Sequence, residues 1–243
     1  MNNRVMNLNQ YIQQKQSRLL SQPMFKERCQ QCLQPVSWCF CSRIEPFDCG
    51  MKFAVLLHPL ERRRRIASGR MAHLMLKNSH LITGHNYTHD FNVNQLLANP
   101  DYFPVVLCLG QNSKNLSLIT EDEKKSICPV GKKLLIFVVD GTWGTASKTV
   151  RLSENLKNLP RISFTPSHPS RFRVRQQPKK NCYSTIEAIH ETIDLLGCSQ
   201  GFSVKDREHD HLLEVFDSFV TQQVNCIQDV KARLGGLQYR KRM

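Results

Sequence analysis

Leu134-Leu135-Ile136-Phe137-Val138-Val139 is an unbroken apolar run of six residues, followed at once by Asp140-Gly141-Thr142-Trp143. Six residues are too few for a globular helix, and branched side chains suit a pleated surface. The run therefore reads as a strand buried on both faces, which implies an α/β fold with a mostly parallel sheet. Asp140 then lies at the carboxyl end of the strand, where open α/β sheets gather ligands, and Gly141 frees the backbone for a sharp exit. An aspartate in that place also serves as a turn residue or helix cap, so the residues alone leave both uses open.

Shorter strands are expected at Phe53–Leu57, where His58-Pro59 ends the run, and at Leu81–Thr83, Val105–Leu109 and Arg161–Phe164. Helical spacing links Met71, Leu74, Met75 and Asn78, and short helices are expected at Asn92–Leu97 and Trp143–Leu152. Ser184-x-x-Glu187 is a capping box, and Ile186, Ile189, Ile193 and Leu196 lie on one face of the helix that it opens. Leu212, Phe216, Phe219, Val220, Val224 and Ile227 form the stripe of a final long helix. Gln111–Lys133 reads as a polar connection carrying the acidic patch Glu121-Asp122-Glu123. No Gly-x-Gly-x-x-Gly or phosphate-binding loop is present, which weakens dinucleotide and nucleoside triphosphatase readings.

Lys and Arg number 34 against 20 Asp and Glu, a net charge of +14, so a polyanionic partner is favoured. Two runs concentrate the charge: Arg62, Arg63, Arg64 and Arg65, and then Arg171, Arg173, Arg175, Lys179 and Lys180. Arg171, Arg173 and Arg175 share one side if the backbone is extended, with Phe172 as an anchor. Phosphate contact is the functional reading of both runs and a solvated face the plain one. Neither a secretory h-region nor a run of about 20 apolar residues occurs, so a cytoplasmic protein without membrane or obligate protein partner is expected.

Four of the ten cysteines, Cys29, Cys32, Cys39 and Cys41, crowd together in a Cys-x-x-Cys and a Cys-x-Cys pair. In a reducing compartment this pattern reads as a structural zinc knuckle with no open coordination position; redox use, an iron–sulfur cluster and free thiols are the alternatives. Cys49 reads as an ordinary buried thiol, and His80, His85 and His89 as loop histidines rather than a metal set. The resulting division is a polar arm at 1–24, the knuckle at 25–48 and a catalytic domain at 49–243.

Asp140-Gly141-Thr142-Trp143 followed by Ala146 resembles the signature of the DTW-domain family. Three more stretches match in the same order: the four cysteines, His58-Pro59-x-Glu61 with Gly69-Arg70, and Ser184-x-x-Glu187-Ala188. The resemblance runs from about Cys29 to the helix ending near Leu196. It implies a SPOUT-like fold with a C-terminal knot, which neither periodicity nor composition shows.

It also implies a tRNA-uridine aminocarboxypropyltransferase. Such enzymes move the 3-amino-3-carboxypropyl group of S-adenosylmethionine to N3 of a uridine in tRNA, giving acp3U and methylthioadenosine. On this reading His58, Glu61, Gly69 and Arg70, with Asp140, Gly141, Thr142 and Ser184, bind the cofactor. Asp140, Trp143 and Glu187 are then catalytic: Asp140 accepts or orients the N3 proton, Trp143 stacks on adenine or the flipped base, and Glu187 stands at the helix start beside them. Both basic runs hold the tRNA. Ile66-Ala67-Ser68 departs from the Asn-Thr flavoured turn of related proteins, which puts the contacts there in doubt. A SPOUT-type RNA methyltransferase and a noncatalytic zinc-bearing RNA-binding protein are the alternatives.

Overall fold

A computed structural model describes residues 27–62, 66, 68–110, 112–174 and 182–233. Expectations placed on the arm at 1–24, on Arg63, Arg64, Arg65 and Ala67, on Arg175, Lys179 and Lys180, and on the side chains of Arg62 and Trp143 lie outside the described residues. The chain divides into two compact units, Met1–Ser42 and Arg43–Met243.

In the second unit β1 (Lys52–Leu57) leads through the short helix α1 (Pro59–Arg62) to α2 (Ser68–Met75), β2 (Ser79–Thr83), α3 (Phe91–Ala98) and β3 (Tyr102–Leu107). Then follow β4 (Ser113–Asn115), α4 (Glu121–Lys125), β5 (Lys133–Asp140), α5 (Trp143–Leu152), α6 (Glu154–Lys157) and β6 (Arg161–Ser163). Helices α7 (Thr185–Leu196) and α8 (His211–Arg233) complete it. The strands lie in the order β2-β1-β5-β3-β6-β4, and every neighbouring pair is parallel. The apolar run at 134–139 is the inner part of β5, flanked by β1 and β3.

Alternation along the strands assigns each face its helices. Ala54 and Leu56 of β1 lie beside Phe137 and Val139 of β5, and the first three pack with Val93 and Leu96 of α3, Val150 of α5 and Leu156 of α6. Phe53, Val55 and Leu57 pair with Ile136, Val138 and Asp140 on the opposite face. There α2 packs on β1 and α7 on β5, and α2, α7 and α8 pack on one another. Ile186, Ile189, Ile193 and Leu196 are all completely buried, as the periodicity of α7 predicts. Asp140 thus points into the helix layer from the last position of the central strand.

The stretch expected to be a polar connection contains two elements, β4 and α4. Strand β4 is an edge strand of three residues held by its ladder to β6, so it carries no apolar pattern to be read. Helix α4 starts at a capping box in which Thr120 N donates to Glu123 Oε2 at 2.8 Å and Glu123 N to Thr120 Oγ1 at 3.3 Å. The acidic patch is its first turn, where negative charge meets the positive end of the helix dipole.

The first turn of α2 comes so close to the sheet that it leaves no room for a side chain at position 69. A methyl group there would sit 2.7 Å from Asp140 Oδ2 and 2.8 Å from Val55 Cγ1, both buried. Gly69→Ala is expected to destabilise the folded chain by about 1–3 kcal/mol through this overpacking, read as a lower urea midpoint at unchanged slope.

Candidate active site

The first unit holds the four cysteines. Cys29 N donates to Gln34 O at 2.8 Å and Leu33 N to Cys29 O at 2.9 Å, closing a tight loop in which Leu33 takes a left-handed conformation (φ 59°). Cys29 Sγ and Cys41 Sγ are 3.7 Å apart, Cys32 Sγ and Cys39 Sγ 3.8 Å, and all four sulfurs lie within 4.8 Å of one another. Tetrahedral zinc–thiolate bonds of about 2.3 Å put sulfurs about 3.8 Å apart, whereas a disulfide needs about 2.05 Å. The cluster therefore fits a structural zinc ion, and all ten cysteines of the chain are free thiols. Backbone N–H groups of Cys32 and Gln31 hold the Cys29 thiol down at about 6, while burial pushes Cys32 and Cys41 up. A divalent cation resolves that conflict by keeping all four as thiolates.

In the second unit the signature residues meet at Asp140, which is 3% exposed. Its Oδ1 accepts from Thr185 Oγ1 at 2.6 Å and its Oδ2 from Gly69 N at 3.2 Å. Its backbone carbonyl accepts from His58 N at 3.1 Å. One residue thereby ties the end of β5 to the turn after β1 and to the first residues of α2 and α7. Glu61 and Arg70 are buried on α1 and α2, and Glu61 N donates to His58 O at 2.8 Å. Thr142 caps α5, with Thr145 N donating to its Oγ1 at 3.2 Å.

Glu187 is as thoroughly engaged. Its Oε2 accepts from Ser184 N at 2.7 Å, Ser184 Oγ at 2.6 Å and Ser170 Oγ at 2.8 Å, and its Oε1 from Arg171 N at 2.6 Å. The expected capping box is present, and the same carboxylate also pins the turn at 170–171. From that turn Arg171 reaches Asp217 Oδ2 at 2.7 Å and Arg173 reaches Thr221 Oγ1 at 2.8 Å, one helical turn apart on α8. The intervening Phe172 is buried edge-on against Phe216, with ring centroids 5.4 Å apart. Arg43 donates to Ser218 Oγ on the same stretch of α8.

Beside the Asp140 hub a cavity of about 440 Å³ opens at the carboxyl ends of β3, β5 and β6. Leu107, Cys108 and Leu109 form one wall, Val138, Val139 and Gly141 the floor, and Phe164 and Pro166 another side. Ala146 of α5 and Cys182, Tyr183, Ser184 and Thr185 at the entry to α7 close it. None of the described residues lining it carries a charge. Burial pushes the Cys108 thiol up, so that it is protonated and unreactive at neutral pH. The volume and apolar walls with a few hydroxyls suit a small organic ligand.

Of the expected site residues, His58, Gly69 and Asp140 are joined by hydrogen bonds, and Gly141 and Ser184 line the cavity. Glu61 and Arg70 do not line it. Thr185 links hub and cavity but was not expected; its only signal was its place after the cap Ser184. His85 and His89 are exposed, and Cys49 is buried with its thiol pushed up to about 11 by burial, in keeping with their plain readings.

A profile described as the DTW domain matches residues 26–224. The chain belongs to the DTW-domain family. Within it, this chain is similar to a Drosophila melanogaster protein named tRNA-uridine aminocarboxypropyltransferase 2, 23% identical over 181 residues that cover 72% of this chain and 68% of that one. A Mus musculus protein of the same name is 23% identical over 176 residues, covering 70% of this chain and 57% of the relative. No solved structure matches the chain. Among the described residues no helix is long and apolar enough to cross a membrane.

If the four thiolates of this DTW-domain chain hold zinc, Cys32→Ser lowers the zinc content by one equivalent per chain, read by elemental analysis. Chelation of the wild type is expected to expose the four thiols to a thiol reagent together, since a closed site loses its ion as a unit.

Proposed function

We propose that this chain transfers the 3-amino-3-carboxypropyl group of S-adenosylmethionine to N3 of a uridine in tRNA. The observation that carries the reading is the cavity at the carboxyl edge of the sheet, floored by Val138, Val139 and Gly141 of the β5 exit and lined among the described residues by uncharged side chains, in a member of the DTW-domain family. The proposal keeps the SPOUT-like class, with which the all-parallel strand order accords, the C-terminal knot that the family resemblance implies, and a cytoplasmic setting, which the ten free cysteines support.

Bound S-adenosylmethionine supplies an electrophilic propyl carbon beside a sulfonium leaving group. A leaving group of that kind needs no general acid, which accords with a cavity that offers no charged side chain. Val139, Leu109, Phe164 and Tyr183 provide surfaces for adenine and thioether, and Ser184 and Thr185 the polar contacts. Backbone N–H groups at the start of α7 favour the amino acid carboxylate. Closed apolar walls keep water from the reacting carbon. Arg70, Glu61 and Thr142 do not line this cavity and are kept as framing residues of the proposed cofactor site, with Trp143 as the proposed wall for the base.

In this proposal Asp140 is a positioning residue. Both of its carboxylate oxygens accept hydrogen bonds from helix starts and it does not line the cavity, so its proposed part is to set α2 and α7 rather than to take the N3 proton. Glu187 acts likewise, by holding the Ser184 cap and the 170–171 turn. For tRNA, Arg171 and Arg173 stand half-anchored on α8, and with Arg62 to Arg65, Arg175, Lys179 and Lys180 they are assigned to phosphates.

The test is a parallel assay on unmodified tRNA with S-adenosylmethionine labelled in the carboxyl carbon or in the methyl group. Carboxyl label is expected in tRNA and methyl label in methylthioadenosine; methyl label in tRNA would convert the assignment to a methyltransferase, and label in neither would favour a binding protein. Asp140→Asn is expected to lower kcat/KM with an unchanged pH profile. Loss of the acidic limb in that variant would restore Asp140 as the general base.

A further inference from the structure

A second cluster of ligating side chains lies away from the cavity, on the far part of α7. His190 projects from the buried face of that helix, and the chain returns to it through the turn at 207–210. Arg207 there adopts a left-handed conformation (φ 56°), a bend that non-glycine residues seldom make. The turn brings His209 against His190, with ring centroids 4.7 Å apart, and Asp210 beside both.

His190 Nε2 lies 2.7 Å from Asp210 Oδ1, and His209 Nε2 lies 3.9 Å from the same oxygen. Asp194 Oδ1 is 3.0 Å from His209 Nε2. Zinc–nitrogen and zinc–oxygen bonds of about 2.0–2.1 Å place tetrahedral donors about 3.3–3.4 Å apart, midway in this range. Ligating atoms of His190, His209 and Asp210 all lie within 4.8 Å of one another.

Arg207 supplies the positive charge that holds the carboxylates here. It donates to both oxygens of Asp210, at 2.9 and 2.6 Å, and to Asp194 Oδ1. Its side chain is 48% exposed and so is free to swing into solvent. His209 is the opposite: completely buried, with Nδ1 among the few buried side-chain atoms of the described residues that lack a hydrogen-bond partner. A fully enclosed imidazole with one unpartnered nitrogen is poorly repaid for losing water. Its Nε2 faces the two carboxylates and is the nitrogen that a metal would take, while Nδ1 keeps its proton on the other side of the ring.

We propose that His190, His209 and Asp210 bind a divalent cation of the zinc class in place of the Arg207 guanidinium, the fourth position being left to water. Two imidazole nitrogens with a carboxylate oxygen select ions of that intermediate softness over calcium or magnesium. The bound ion fastens the end of α7 to the turn that leads into α8. It is independent of the thiolate cluster, which draws on Cys29 to Cys41 alone.

The test is zinc titration of the full chain with its thiolate cluster already loaded, by calorimetry and elemental analysis. Wild type is expected to take up a second equivalent, which survives Cys32→Ser and is weakened at least about tenfold by His190→Gln or His209→Gln. Arg207→Gln is expected to tighten the second equivalent, because it removes the competing cation. A cluster serving only as an ion-pair network gives the opposite result for that variant, with no gain in zinc affinity. Zinc uptake that stops at one equivalent in wild type, or a second equivalent unchanged in His190→Gln, would overturn the proposal. His190→Gln and Arg207→Gln keep the test open if His209→Gln does not fold.

Discussion

A carboxylate taken out of water must find donors or give up its charge, and Asp140 is almost wholly enclosed. Its two donors, the Gly69 amide and the Thr185 hydroxyl, come from elements more than a hundred residues apart in the chain. Satisfying one side chain therefore fixes where two helices start. The approach of α2 excludes any side chain at position 69, and the placement of Thr185 sets the entry to α7 that closes the cavity. Removing one donor strands a buried charge, so the geometry is held at several points rather than one.

Charged and uncharged parts of the site divide the work. Asp140, Glu61, Arg70 and Glu187 are buried, and the hydrogen bonds described above tie Asp140 and Glu187 to frame elements: helix starts and the 170–171 turn. The cavity beside them is lined among the described residues by aliphatic, aromatic, thiol and hydroxyl groups. Under the proposed function such a site would act by holding reactants in alignment, which suits a reactant that brings its own leaving group. Arg171 and Arg173, exposed in the turn that pairs with Asp217 and Thr221 of α8, lie outside that lining.

Much of this was legible because strong local signals and tertiary packing agree. The unbroken run of β5, the Ser184–Glu187 cap and the apolar stripe of α7 each point to the element that formed. Asp140 stood out by its place at the end of the strand but not as a hub, since nothing near it names Gly69 or Thr185 as its donors. Strand β4 escaped because an edge strand is held by backbone pairing and needs no side-chain pattern. The His190–Asp210 grouping escaped because its members are far apart in sequence and meet only through the left-handed turn at Arg207.

The strand order has a consequence for how the chain comes off the ribosome. Strands β1 and β2 are neighbours and are made early, but β3 lies between β5 and β6, both of which are synthesised after it. Until residue 133 has emerged, the inner edge of β1 and both edges of β3 have no partner, although their side chains are among the most apolar in the molecule. With no hairpin available to bridge the wait, the nascent chain carries open, sticky ladders from the completion of β1 to the arrival of β5. Arrival of β5 closes three strands at once, and its last residue then recruits the helices.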